Sequence, residues 1–293
     1  MNKIQTLMIF VLFFGSCVAF AQQDNTFTMY RYQMNIFNPA DVGLNGETEI
    51  TSSIRTQWTG IEDAPETQTI SFRTTLGKNL GVGITTVSDK TFIEHQKTLN
   101  LDFSYKLKMN ESSDLYFGIK AGGNFYDVNT SGIQTYNLQS DPALASINSF
   151  TPNIGVGLLF KEQKWYVSLS APKLLNTLKA VNDAGYVTLN TNRTRIFLSG
   201  GYDFNLSPSL ILSPSVFINY INGLPTSVDF NSTLNIENVF EFGATYRTED
   251  AFSAMSTINI SKRFMVGFAY EISSKPVLAR ARNTNEILFK FKF

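Results

Sequence analysis

EILFKFKF, residues 286–293, closes the chain. Ile287, Phe289, Phe291 and Phe293 fall on one side of a two-residue period, and Leu288, Lys290 and Lys292 on the other. Successive strand side chains point to opposite faces, so one face of this segment is aromatic and the other mostly cationic. A soluble sheet turns its apolar face inward, whereas an outer-membrane barrel turns it outward to lipid. A terminal strand that ends on phenylalanine resembles the signal read by barrel-assembly machinery. The fold therefore depends on whether the rest of the chain repeats the pattern.

It does. Leu99, Leu101, Phe103, Tyr105 and Leu107 alternate with Asn100, Asp102, Ser104 and Lys106. Ile196, Leu198, Tyr202 and Phe204 oppose Arg195, Ser199, Asp203 and Asn205, and similar runs follow at 227–236, 240–247 and 264–272. No stretch beyond the N-terminus sustains a helical period. Connections alternate between short, charged or turn-forming ones (77–78, 161–164, 205–208, 237–238, 262–263) and longer ones (56–66, 88–94, 126–152, 172–192, 221–225, 273–285). Residues 248–250 are short where a long loop is due. Short turns at one end and long loops at the other are the habit of outer-membrane barrels. A soluble sandwich would also alternate, with a charged polar face. Here that face is mostly Ser, Thr, Asn and Gly, as suits a wet lumen, and Tyr105, Tyr202, Tyr220, Tyr246 and Tyr270 recur near strand ends, where interfacial girdles sit. The reading is all-β: a transmembrane antiparallel β-barrel of about 14 strands over residues 47–293.

The N-terminus supports export. Lys3, the apolar run Leu7 to Phe14 and the Ala19-Phe20-Ala21 site predict a signal peptide over 1–21, cleaved after Ala21. Cys17 loosely resembles a lipoprotein box, but Phe14 stands where leucine is usual. Cleavage after Ala21 removes Cys17, leaving the exported chain without cysteine. No apolar run reaches the roughly 20 residues a spanning helix needs. The chain is 13% aromatic and 16% charged, with 24 basic against 24 acidic residues. Alternating strands give such a composition, and the balance offers no basic surface for nucleic acid. The expected location is the outer membrane, in contact with its lipid.

Little suggests chemistry. His95, beside Glu94 and near Asp89, is the single histidine; a solvated loop residue leading into the strand at 96–107 accounts for it. There is no nucleophile motif and no histidine pair. Asp127, Asn129, Asn137, Asp141 and Asn148 offer oxygens for calcium, but match no known loop spacing. Asn129-Thr-Ser131 and Asn192-Arg-Thr194 fit a glycosylation pattern with little meaning in a bacterial-type barrel. The expectation is a protein without enzymatic activity, cofactor or metal.

Residues 22–46, QQDNTFTMYRYQMNIFNPADVGLNG, show neither period and carry too many aromatics for a solvated tail. They read as a leader that closes the periplasmic mouth, or as a plug or docking surface for a partner. Tyr30, Tyr32 and Met34, then Asn38-Pro39-Ala40 and Gly43, then Arg55, Gln57-Trp58 and Gly60, then Ala64-Pro65 and Thr67 closely resemble the PorP/SprF family, over residues 28 to about 72. That family has a Y…M…NPAYAG leader, an R-x-QW-x-G segment and a GAP-x-T turn. Asp41-Val42 replaces its usual Tyr-Ala, and Asp63 the glycine of its GAP turn. The resemblance implies an outer-membrane barrel of Bacteroidota-type bacteria, associated with type IX secretion components and gliding, and often acting with one large secreted adhesin or other cargo. Trp58, with Arg55 and Gln57, either anchors a protein partner from an outward loop or folds into the lumen and narrows it. The leading functional expectation is support of export or surface attachment of such a partner; the alternative is a channel for small solutes or lipids.

Overall fold

Fifteen strand segments form one antiparallel sheet that closes on itself in this computed structural model. The structure describes residues 26–44, 46–129, 147–175, 178–183, 186–191, 194–248, 250–274 and 283–293. The expected signal peptide and cleavage site, residues 1–21, lie outside them. The first half of the wall comprises β1 (Glu49–Thr56), β2 (Glu66–Leu76), β3 (Leu80–Thr91), β4 (Glu94–Lys108), β5 (Ser113–Val128), β6 (Ile147–Glu162) and β7 (Trp165–Ala171). A separate hairpin, β8 (Leu178–Asp183) with β9 (Tyr186–Thr191), pairs outside the barrel sheet. The wall resumes with β10 (Arg195–Tyr202), β11 (Phe204–Ser207), β12 (Leu210–Ile221), β13 (Ser227–Ile236), β14 (Phe240–Arg247), β15 (Ala251–Asn259), β16 (Phe264–Ser273) and β17 (Asn283–Lys292). β10 and β11, interrupted at Asp203, both pair with β12 and fill one position, so the barrel has fourteen strands.

The closing strand is the seam. β17 pairs with β16 on one side and with β1 on the other, from Glu49↔Lys292 to Thr56↔Asn285. Closure matters because an open edge in hydrocarbon would leave backbone N–H and C=O groups without partners. Burial is inverted relative to a soluble sheet. Leu288 is 0% exposed while Phe289 is 43% exposed; Ser53 and Arg55 are buried while Ile50 and Ile54 are exposed. The same holds for buried Asn100, Asp102 and Ser104 against exposed Leu99, Leu101, Phe103 and Tyr105. A polar face turned inward and an apolar face turned outward exclude the sandwich and give a membrane-spanning barrel.

Three loop expectations change, and in one of them, 126–152, strand continues to Val128 and resumes at Ile147. Residues 88–94 are not a loop: β3 pairs with β4 out to Thr91↔Glu94, leaving only Phe92 and Ile93 at the turn, with Phe92 at φ 51°. The polar run Ser88-Asp89-Lys90-Thr91 looks loop-like but is strand, and His95 lies within β4 opposite Lys90 and Asp127. β5 and β6 have 16 residues each, more than the roughly 9–11 that cross a bilayer, so this side of the barrel rises above the membrane. Residues 172–192 contain the hairpin of β8 and β9 rather than loop throughout.

Candidate functional site

Residues 26–44 lie inside the barrel, and their side chains form most of its interior packing. The segment makes three short 3₁₀ turns, Tyr30–Tyr32, Met34–Ile36 and Pro39–Gly43. Asn38 starts the last one: its side-chain oxygen accepts from the Ala40 N–H at 2.9 Å, and Pro39 supplies a pre-set φ where no N–H is needed. The leader runs along the lumen, where one of the two expectations had it closing the periplasmic mouth and the other had it as a plug or docking surface. Its first residues sit near the end that carries the long loops, at the level of Arg55, and its last near the chain's C-terminal end, at the level of Glu49. Strand walls expose few backbone groups to the lumen, so side chains must satisfy the leader's own polar atoms.

They do so in tiers. At the upper tier the Thr28 N–H donates to Glu286 at 2.8 Å, and the Thr28 hydroxyl to Glu271 at 3.3 Å. Arg55, 1% exposed, joins both acids, at 2.6 Å to Glu271 and 3.6 Å to Glu286. Arg247 adds Glu271 at 3.1 Å and a two-bond contact with Asp229 at 2.9 and 3.0 Å. In the middle, Gln33 donates to Ser53 at 3.1 Å and accepts from Thr69 at 2.8 Å. Asn35 donates to Thr85 at 2.8 Å, while its carbonyl accepts from Lys120, which pairs with Asp102 at 2.7 Å. At the lower tier Asp41 pairs with Arg73, which also holds Glu49 at 2.6 Å; Lys290 reaches Glu49 at 3.1 Å. Burial pushes the Asp41 carboxyl up from the ordinary carboxylate range, and the Arg73 charge opposes that shift. Buried charges of this kind persist only when paired and hydrogen-bonded.

Apolar packing fills the space between the tiers. Phe37 stands edge-on to Phe197 and Phe217 at 5.2 and 5.1 Å, and Tyr30 lies 4.6 Å from Phe217. Phe27 and Met34 complete that cluster; Met29 joins a second with Met255, Met265 and Leu288, against which Tyr32 packs. Burial pushes the Tyr30 and Tyr32 hydroxyls upward. The Asn38-to-Gly43 turn lies directly on the wall. A Cβ at Gly81 would meet the Gly43 Cα at 2.5 Å, and one at Gly118 would collide with the Pro39–Ala40 backbone. Side chains there would exclude the leader.

Above the leader remains a cavity of about 150 Å³, floored by Phe27, Tyr30 and Phe37 and walled by Asn100, Lys120, Asn153, Asn219 and Arg247 among others. Trp58 is not among its lining residues. It is half-buried at φ 50° in the loop 57–65, where its carbonyl accepts from the Ile61 N–H. That loop is tied down by the Gln57 N–H to the Pro65 carbonyl and the Thr59 N–H to the Asn283 carbonyl. Gly60 at φ 94° and Asp63 at φ 54° form its bends, both in the left-handed region that suits glycine.

The structure thus separates the residues singled out by sequence. Tyr30, Tyr32, Met34, Asn38, Pro39 and Gly43 pack within the lumen. Arg55 joins them through its salt bridges and is not at the surface beside Trp58, because strand alternation turns it inward. Gln57, Trp58, Gly60 and Pro65 form the outer loop. Ile287, Phe289, Phe291 and Phe293 line the lipid face of the seam. Sequence reading missed Glu271, Glu286, Arg247, Arg73, Asp41 and the inward Phe197 and Phe217. The available signal was the exception to alternation: a phenylalanine or a charge on a face otherwise made of Ser, Thr, Asn and Gly. Among the described residues no group of three His, Cys, Asp or Glu is arranged to hold a metal. Asn137 and Asp141 lie outside them.

A profile of the type IX secretion system membrane protein PorP/SprF matches residues 19–291. No curated protein matches the sequence. Several solved outer-membrane barrels are similar in structure. The CymD monoaromatic hydrocarbon channel shares 12% identity, with 89% of this chain and 92% of that one covered, at a TM-score of 0.56. The toluene transporter TbuX of Ralstonia pickettii shares 11%, covering 88% and 92%, at 0.54. The outer membrane protein Omp33 of Acinetobacter baumannii shares 10%, covering 86% and 100%, at 0.52. Identities this low establish a shared barrel fold and no shared activity.

Proposed function

This chain belongs to the PorP/SprF family of type IX secretion system membrane proteins, and we propose that within that machinery it is a plugged, non-enzymatic outer-membrane barrel that supports export or surface attachment of a secreted partner, such as a large adhesin. The observation that carries the reading is the filled lumen. Salt bridges at both ends of the leader and an aromatic cluster between them hold the interior shut, so the barrel serves as a rigid platform rather than an open pore. Its outward loops are then the surfaces left to engage a partner, and Trp58 is the side chain on the 57–65 loop best suited to it, since Trp dominates interface hot spots. Deleting the gene tests the reading: comparison of surface proteomes should show loss of one exported protein, and unchanged surface proteomes would refute it.

A second reading is a channel for small solutes or lipids. The cavity above the leader, with its phenylalanine floor, favours it, and two of the similar barrels are described as a hydrocarbon channel and a toluene transporter. It requires the leader to move aside, against the buried charge pairs described above.

A further inference from the structure

The lipid-facing side of the wall is apolar over most of its height, and its outward basic residues sit together. Along β4 the outward residues Leu107, Tyr105, Phe103, Leu101 and Leu99 are all exposed. Their span, from 107 to 99, is about the 9–11 residues that cross a bilayer. The next outward residues are Lys97 and His95. Their neighbours Gln96, Thr98 and Asn100 line the lumen cavity, which fixes the direction. On β3, Ser88 stands opposite Lys97 and Lys90 opposite His95. Every other basic residue in the described wall strands, Arg73 and Lys290 included, falls on the lumen side of the alternation.

The register sorts these groups into two rows. In the upper row Glu66 on β2 faces Lys90, and His95 faces Asp127 on β5. That row carries an acid at each end. The lower row runs Gln68, Ser88, Lys97, Phe125 and Phe150 across five strands, and holds no acid. Asp127 is only a diagonal neighbour of Lys97, one row up. Lys97 is exposed and forms no ion pair among the described residues.

Beside Lys97, Phe125 and Phe150 are 50% and 57% exposed, with ring centroids 4.8 Å apart. A Cβ at Gly123 would collide with the Phe150 ring, so that ring lies down over the Gly123 backbone. An aromatic shelf thus tops the apolar band, with a cation and a hydroxyl in line beside it. On the far side of the barrel, Tyr220, Tyr246 and Phe252 stand outward near the same end of their strands, with no charge among them. This end lies opposite the C-terminus and carries the long connections, so it faces the cell surface. The border is therefore level with the headgroups of the outer leaflet. A lysine without an acid suits an anion, and an exposed ring pair suits a partner with an apolar face. The outer leaflet of an outer membrane supplies both in one molecule, a phosphorylated sugar headgroup on acyl chains.

We propose that the outward face of β2 to β6 at this border is a docking site for that phosphorylated glycolipid. Lys97 takes the phosphate as a point charge, with the Ser88 hydroxyl donating beside it, and the sugar lies against Phe125 and Phe150. The acyl chains run down over Leu99 and Leu101. Such a contact gives the barrel one preferred side for bound lipid. The site lies outside the lumen and goes beyond the reading of the barrel as a partner-handling platform; it holds whether or not a partner is handled.

The test uses the whole barrel purified in mild detergent and titrated with bisphosphorylated lipid A, with bound lipid counted by native mass spectrometry. Dephosphorylated lipid A and phosphatidylglycerol are the comparison ligands. Lipid A should bind about tenfold tighter than its dephosphorylated form, and Lys97→Gln should remove most of that difference. Lys97→Arg keeps the charge and should stay within about twofold of the wild type. Phe125→Ala should weaken both forms of lipid A by about threefold, because it removes the shelf and leaves the charge. Lys262→Gln, at a turn on the periplasmic end, should change neither. Should Lys97→Gln lower the folded, heat-modifiable fraction, Ser88→Glu replaces it and should give the same loss. Equal binding of the two forms of lipid A would overturn the proposal. So would a loss in Lys262→Gln as large as in Lys97→Gln, or phosphatidylglycerol bound as tightly as lipid A.

Discussion

The two ends of the leader are held by different physics. At the upper end Thr28 is bound by side chains from three strands of the wall, through Arg55, Glu271 and Glu286, and the aromatic cluster packs just beneath. At the lower end the Asn38-to-Gly43 turn lies backbone against backbone on the wall, admitted by Gly81 and Gly118. The upper end depends on charge balance and the lower on shape. A shape fit tolerates no added atoms, whereas a charge network fails when one member is removed and the others are left buried.

That contrast predicts an order of effects. Arg55→Ala should be the most damaging, since it leaves Glu286 buried without a cation and Glu271 with Arg247 alone; a loss of about 3–5 kcal/mol is expected from denaturant unfolding of the refolded barrel. Replacing Arg55, Glu271 and Glu286 together by apolar residues of similar size should recover most of that loss, and no recovery would mean that charge balance is not what holds the upper end. Phe37→Ala follows, at about 3 kcal/mol for a buried aromatic, with hydrogen exchange rising across residues 26–37 before the wall strands respond. Gly118→Val should cost about 1–3 kcal/mol and act on the lower end alone, raising exchange at residues 38–44 while Thr28 stays protected. If both ends loosen equally, the leader docks as one unit and the distinction falls. Trp58→Ala, outside both ends, should change stability by only about 0.5 kcal/mol while reducing partner display.

Much of this fold was legible because its signal is local. Alternation at 99–107 or 286–293 needs only neighbours in sequence, and it gave the fourteen strands and the face each presents. The site was not legible for the opposite reason. Arg55 and Glu286 are directly opposed across β1 and β17, at nearly the full length of the chain, and are neighbours only once the barrel closes. Asp229 and Arg247 are likewise a cross-strand pair. The leader carried the right residues, but the wall features that receive it are glycines, and an inward glycine reads in sequence as an ordinary gap in the pattern. The segment 88–94 misled because strands that outgrow the bilayer lose their apolar face and take on the composition of loops.

If residues 26–44 seal the lumen, the barrel conducts only without them. Single-channel recording in planar bilayers tests it directly, comparing the wild-type barrel with one lacking residues 26–44 and shown to be folded by its heat-modifiable mobility. A silent wild type and a conducting deletion are expected; equal conductance in the two would show that the leader does not seal the lumen.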